Sequence, residues 1–243
     1  MFDRKVTRII TPGTLIDENF MDPYENNFLL GIHLENKALI RHKDGGRRSL
    51  NADETGKVPV GLAWLDLSTG DFFTQSTTLA SLPSAIARIR PREIVLDENL
   101  QDSCDPDIFL MLQEDRYLIT YHPAPPEILP VSAWSPMLEV PVSEKLRADF
   151  TTEEVTAGSS LLEYVKVRLL GMRMKLQPPI RRLTVENMGI DKNSMRALEI
   201  KSTLRDGVSK GSLFHAIRRT VTKSGARLLG NWLSRLIPVL LCL

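Results

Sequence analysis

Two groups of side chains in this sequence have the types and spacing that chemistry would need. Asp66 and Asp71 flank a short turn in VGLAWLDLSTGDFFTQST, and Glu93 or Asp97 could join them from the next apolar run, REIVLDE. Acidic residues at the ends of neighbouring strands can hold two Mg²⁺ ions that clamp the attacking and leaving oxygens of a phosphodiester. A metal-dependent nuclease would use Asp66, Asp71 and Asp97 in that way. The plainer alternative is that Asp71 completes a turn beside Gly70 while Asp66 faces solvent, because turns select Asp and Gly on their own account.

The second group is basic. GSLFHAIRRTVTKSGARLLGNWL, residues 211–233, carries Arg218, Arg219, Lys223 and Arg227, with Arg235 just beyond, and no Asp or Glu follows Asp206. Ser212 can cap a helix bearing Leu213, Phe214 and Ile217; Thr222 or Ser224 can cap a second bearing Leu228, Leu229, Trp232 and Leu233. Two capped helices around a short loop fit a DNA-reading helix-turn-helix, with Arg218, Arg219, Lys223 and Arg227 as its DNA contacts. They fit better a joint packed inside a helical domain. The second helix opens Ser224-Gly225-Ala226-Arg227, small residues rather than the polar groups that read base edges, and its apolar stripe calls for burial.

Other chemistry finds little footing. His33, His42, His122 and His215 are scattered, none at ligand spacing with a Cys, Asp or Glu, so no metal is assigned. DGGRRS (44–49) and GVSKGS (207–212) have the wrong Gly–Lys spacing for a phosphate-cradling P-loop. No nucleophile elbow and no Cys/His pair is present, so no catalytic residue is assigned.

These groups must be carried by folded elements, and the totals allow for them. The 243 residues suffice for two domains, and 42% hydrophobic with 25% charged residues is the balance of a folded globular chain. Net charge is only +1, so affinity for nucleic acid has to come from local clustering at the C-terminal end. Cys104 and Cys242 make no disulfide framework, and MFDRKVTRIITPGT has no signal-like apolar core. The final IPVLLCL is too short to span a bilayer. The protein is expected inside the cell, with no membrane partner.

Along the chain, VTRIITPGT starts as a strand and stops at Pro12-Gly13. ENNFLLGIHLE (25–35) reads as a buried strand, followed by a polar loop at 41–57. Residues 60–77 form a hairpin around Ser68-Thr69-Gly70-Asp71, 79–90 a helix with Pro83 in its first turn, 92–98 a strand, 107–115 a helix and 116–122 a strand. This makes an α/β sheet domain over residues 25–123, preceded by an entry segment at 1–24. Residues 124–142 are a Pro-rich linker or docking arm. From 143 the chain becomes mostly helical, with helices at 160–170 and 194–207, an extended stretch after Pro178-Pro179, and the basic hairpin. The fold class is α/β followed by mostly α.

Several of these stretches together resemble one family. NMGIDKNSMRALEI (187–200) followed by GSLFHAIRRTVTKSGARLLGNWL is similar to the start of the core, or lever, domain of MutS-type DNA mismatch-repair proteins. The shared pattern is an Asp, Arg-x-Leu-Glu, Gly-Ser-Leu, then Thr220, Thr222, Gly225, Arg227, Leu228, Leu229, Trp232 and Leu233. Upstream, VTRIITPGTLIDENF resembles the exit from the family's mismatch-binding domain. NNFLLGI and LAWLDLSTGDF resemble strands of its ribonuclease-H-like connector domain. TPGTLIDE and LQPPIRRLTVENMGIDKNSMRALEI look most like the fungal mitochondrial branch, which favours a mitochondrial location with the nucleus as alternative.

The resemblance implies a dimeric clamp, built from two MutS-type chains alike or different, that uses ATP and Mg²⁺, recognises mismatched double-stranded DNA and recruits a MutL-type partner. It implies that the connector sheet is not catalytic, so that Asp66 and Asp71 are structural, and that the hairpin is a lever joint rather than a reader. There are departures. No Phe-x-Glu reader motif occurs in the sequence, nor does an ATPase P-loop, and SRLIPVLLCL (234–243) leaves the family pattern. The expectation is therefore a fragment or truncated product with an incomplete lever, which binds no ATP and leaves the stripes of Leu161, Leu169, Leu228 and Trp232 without partners. The alternative function is a protein-interaction module that docks a MutL-type partner.

Overall fold

The computed structural model describes residues 6, 8–22, 24–34, 56–103, 112, 117–125, 127–170, 172, 175–183 and 190–234. The expected loop at 41–57 except its last two residues, the expected helix at 107–115 except Leu112, and Cys104, His42, Arg235 and Cys242 lie outside these residues.

The apolar runs form strands because a layer covers each of their faces. β1 (Phe28–Leu34) and β2 (Pro59–Asp66) are buried almost throughout, which is why they read as continuous rather than alternating hydrophobic runs. β2 turns into β3 (Asp71–Thr78) at the expected place, with Asp66 opposite Asp71 and Gly70 in the left-handed region at φ 78°. α1 (Leu82–Ile89) places Pro83 in its first turn and buries Leu82, Ala85, Ile86 and Ile89 on one face. β4 (Glu93–Asp97) follows, then α2 (Asn99–Ser103) and β5 (Leu118–His122). After a 3-10 helix at Val131–Met137 come α3 (Glu144–Asp149), α4 (Thr152–Leu169) and β6 (Ile180–Arg182). The chain then runs through α5 (Lys192–Ala197), α6 (Leu213–Ile217) and α7 (Lys223–Leu233).

The six strands make one mixed sheet in the order β5-β4-β1-β2-β3-β6. β1, β2 and β3 are antiparallel neighbours, whereas β4 lies parallel to β1, β5 to β4 and β6 to β3. One face packs Phe28, Leu30, Leu62, Trp64 and Ile94 against α1. The other packs Leu29, Ala63, Leu65, Phe72 and Val95 against α4 and the 3-10 segment.

α4 lies unusually close to the sheet. A Cβ placed on Gly61 would sit 2.0 Å from the backbone carbonyl oxygen of Glu153, a separation no side chain can occupy. Gly31 and Ala63, paired across β1 and β2, continue this low patch. Thr151 caps the helix: its hydroxyl accepts the Glu154 amide hydrogen while the Glu154 carboxylate accepts that of Thr151. The same buried carboxylate accepts from Arg181 at 3.0 Å and so ties the edge strand β6 to the start of α4.

Three expectations change. Residues 6–10 form no strand among those described; the Ile9 amide instead donates to the Arg168 carbonyl at the end of α4. Of the two readings of the Pro-rich stretch, the docking arm fits: Trp134 is buried beneath α4 and its indole N–H donates to Ser159 at 3.1 Å. Helices do begin at 144, but α4 packs into the sheet's second core, and Leu161 and Leu169 are buried there rather than left bare. The helix expected at 194–207 is α5 alone, which gives way to Glu199 at φ 46°. Leu228 and Trp232, by contrast, are 48% and 62% exposed, as an uncovered stripe would be.

Gly61→Ala should destabilise the protein by about 3 kcal/mol, since the added methyl meets backbone rather than a movable side chain. A fall in the urea midpoint at unchanged slope is the expected result.

Candidate functional site

The four acidic candidates are not assembled as a metal centre. Strand alternation puts Asp66 on the face of Phe28 and Trp64 but Glu93 on the face of Leu29 and Val95. Asp66 is fully buried rather than facing solvent. Its carboxylate accepts from the Asn27 amide (2.9 Å), the Ser68 amide (2.9 Å), the Ser68 hydroxyl (2.6 Å) and the Asn26 side chain (3.4 Å). Those donors occupy the oxygens a cation would need. Asp71 accepts from Thr69 in the turn, and Asp97 accepts from the Asn99 amide at the start of α2. Among the described residues no three or more His, Cys, Asp and Glu side chains converge as a metal site. The nuclease reading has no geometry to rest on.

What Glu93 does is hold the entry segment. Buried among apolar neighbours, its carboxylate accepts from the Gly13 amide (2.9 Å), the Thr120 hydroxyl (2.7 Å) and the Tyr164 hydroxyl (2.6 Å). Three donors are what a buried carboxylate needs to offset its lost hydration. Gly13 is required for the approach, because a Cβ there would lie 2.5 Å from the Leu29 side chain and 2.9 Å from that of Glu93. Thr11 and Thr14 close the Thr-Pro-Gly-Thr turn on each other, and Asn27 donates its amide to the Pro12 carbonyl at 2.9 Å. Sequence reading found this motif but not its partners.

Around Tyr164 the clasp is aromatic and cationic. His122 meets the Tyr164 ring edge-on at 5.3 Å, and the Arg168 guanidinium lies 4.9 Å from the ring centre. Burial, together with its hydrogen bond to Glu93, pushes the Tyr164 hydroxyl above its ordinary pKa. Burial, with the Arg168 charge nearby, holds His122 below its own.

The basic hairpin is built as its caps suggest. Ser212 accepts the His215 amide hydrogen and Thr222 that of Gly225. Phe214 packs against Gly230 between the two helices, with Ala226 fully buried. Backbone bonds from Leu213 to Glu199 and from Phe214 to Ile200 fasten it to the turn after α5. That turn starts from α5, which Asp191 caps. The Ser194 side chain and backbone, and then the Asn193 amide, hold the Asp191 carboxyl below the usual range.

The four candidate DNA contacts stand in different local settings. The Arg218 guanidinium stacks over the Tyr24 ring at 4.3 Å and joins the hairpin to the entry segment. Arg219 donates to the Ala216 and Arg218 carbonyls and closes α6. Lys223 stands in the first turn of α7, while Arg227 turns towards a cleft of about 380 Å³ between hairpin, α5 and the end of α1. Further cations that sequence reading did not single out line it: Arg90 and Arg92 on one side, and Lys192, Arg196 and Lys201 on the other. They are separate in sequence, so only the fold reveals the grouping.

An α/β sheet module with a clasped entry segment thus meets a helical hairpin across a cleft. Comparison with known proteins gives both parts a family. Residues 49–124 match the family model for MutS domain II, and residues 193–235 match that for MutS domain III. The chain is 33% identical over 246 residues to the DNA mismatch repair protein MutS of Bradyrhizobium sp. (strain ORS 278), covering 95% of this chain and 23% of that protein. It is 34% identical over 243 residues to MutS of Anaplasma phagocytophilum (strain HZ), covering 95% and 25%. With MutS of Wolbachia pipientis wMel it shares 33% over 233 residues, covering 95% and 24%. The chain belongs to the MutS family, and it spans about a quarter of the length of these relatives.

Stability should fall as pH rises above about 10 and Tyr164 is forced to ionise. Its folded pKa lies above the unfolded value, so the contribution is complete below 10 and is lost on passing through the folded value. Tyr164→Phe should cost about 1 kcal/mol at neutral pH and flatten that alkaline loss, as read by urea unfolding from pH 7 upward.

Proposed function

We propose that this chain is the connector and the start of the lever of a MutS-type protein acting in DNA mismatch repair. The observation that carries the reading is the order and junction of the two units. The region matching domain II supplies four of the six strands of the sheet module, and the region matching domain III holds the hairpin, which Arg218 fastens to Tyr24 of the entry segment. The sheet is inferred to be ribonuclease-H-like. An antiparallel β1–β2–β3 meander with β4 and β5 added in parallel on the other side of β1 supports that assignment.

In this role the chain passes motion between parts that contact DNA and parts that hold ATP and Mg²⁺, which belong to the longer protein. Mismatched double-stranded DNA, a second MutS-type chain and a MutL-type protein are its partners at that level. The MutS name of the relatives and the domain matches support this. Among the described residues no helix is long and apolar enough to cross a membrane. A mitochondrial location is proposed from the likeness of TPGTLIDE and the 176–200 stretch to the fungal mitochondrial branch.

By itself the chain should bind heteroduplex and homoduplex DNA equally and hydrolyse no ATP. Fluorescence anisotropy with the two duplexes at matched salt tests the first point, since salt alone can shift such affinities by orders of magnitude. The role in repair is tested in the source cells. Loss of the gene should raise the spontaneous mutation rate, and Glu93→Ala should raise it in part by loosening the clasp. An unchanged mutation rate on gene loss would overturn the reading.

A further inference from the structure

The hairpin and α5 are fastened into one helical unit. The Leu213 and Phe214 amides donate to the Glu199 and Ile200 carbonyls at 3.0 and 2.9 Å, Phe214 packs on Gly230, and Ala226 is fully buried. This unit lays α5 on α1 of the sheet module, with Met195 and Ile200 buried. Beyond that contact the two surfaces part into the cleft of about 380 Å³. A close-packed interior leaves few voids larger than a water molecule. The units therefore meet without sealing.

Tyr24 and Phe214 both stand on the cleft walls, and Arg218 spans them. Its guanidinium lies 4.3 Å from the centre of the Tyr24 ring and 5.7 Å from that of Phe214. The Tyr24 end is held firmly to the sheet module. The Tyr24 amide donates to the Asp22 carboxylate at 2.9 Å, and the next residue, Glu25, pairs with Arg92 at 2.7 Å. The Arg92 amide in turn donates to the Phe28 carbonyl at 2.8 Å. The bridge itself is weak. Tyr24 is 43% exposed, and a cation over an exposed ring shifts an equilibrium only about two- to fivefold. A contact of that strength can close a joint and still let it open. We propose that Arg218 and Tyr24 form a releasable latch: paired, they hold the helical unit against the sheet module; apart, they let it leave α1. Because Tyr24 belongs to the entry segment, a displacement of that segment frees the hairpin directly, without first disturbing the sheet. The latch stands independently of the part played in mismatch repair.

The test reads how often the joint opens. In the full chain, Cys104→Ser and Cys242→Ser remove the native thiols, and Met195→Cys places a single one in the buried contact between α5 and α1. Its rate of reaction with dithiobis-nitrobenzoate then follows the fraction of open molecules. Tyr24→Leu and Arg218→Gln should each raise that rate about two- to fivefold, at an unchanged urea midpoint for global unfolding. Tyr24→Leu leaves every contact inside the hairpin in place, so it reports on the latch even where Arg218→Gln disturbs α6. Tyr24→Phe keeps the ring and should leave the rate as it is. The two substitutions combined should act no more strongly than either alone, as two halves of one contact do. The proposal fails if Tyr24→Leu leaves the rate unchanged, if Tyr24→Phe raises it equally, or if the two effects multiply. It fails too if the faster reaction is matched by an equal loss of global stability, for the thiol would then be reporting unfolding.

Discussion

The structure hangs on the contact between α4 and the centre of the sheet. Strands β1 and β2 present Gly31, Gly61 and Ala63 to the helix, and the Glu153 carbonyl comes within 2.0 Å of where a Gly61 Cβ would be. With no side chain between them, helix and sheet meet backbone to backbone, and α4 has one position available. Everything further out takes its place from that bar. Glu154 at its start reaches Arg181 and fixes β6; Ser159 at its middle takes the Trp134 indole and fixes the Pro-rich arm. Tyr164 and Arg168 near its end reach Glu93 and the entry segment.

Buried carboxylates repeat this logic on a smaller scale. Asp66, Glu93 and Glu154 are fully buried, and each accepts from at least one donor far away in the chain. A charge in that setting is stable only while every donor stays in place, so it specifies position more than it adds stability. Asp66 fixes where β1 begins, Glu93 where the entry segment crosses, and Glu154 where the edge strand joins. The acidity that suggested metal chemistry is spent on alignment.

Much of the local structure was legible because local rules decide it. The Ser-Thr-Gly-Asp turn, Pro83 in a first helical turn, and the Ser212 and Thr222 caps each depend on residues a few positions apart, and each stands as expected. The family itself was legible from motifs at both ends of the chain. What failed was assignment of partners. The stripe of Leu161 and Leu169 called for burial but did not say which surface would supply it, and part of the contact side of α4 is the small-residue run at 156–159, which gives little pattern. Trp134 sat in a proline-rich run whose composition left linker and docking arm open, and one large aromatic side chain is what docks it. The cleft cations come from positions 90 to 227, and no window along the sequence contains them together.

The lateness of α4 in the chain has a further consequence for synthesis. The β1–β2–β3 meander is complete once residue 78 has emerged, but the layer that covers its second face lies at 152–169 and the strand that flanks β3 at 180–182. Until then Leu29, Leu65 and Phe72 have nothing to pack against, and β3 offers an open edge. At about 5–20 residues added per second, that interval lasts several seconds or more, long compared with hairpin formation. A nascent chain of this kind waits half-covered on the ribosome, and the glycines that later admit the helix keep that waiting surface flat.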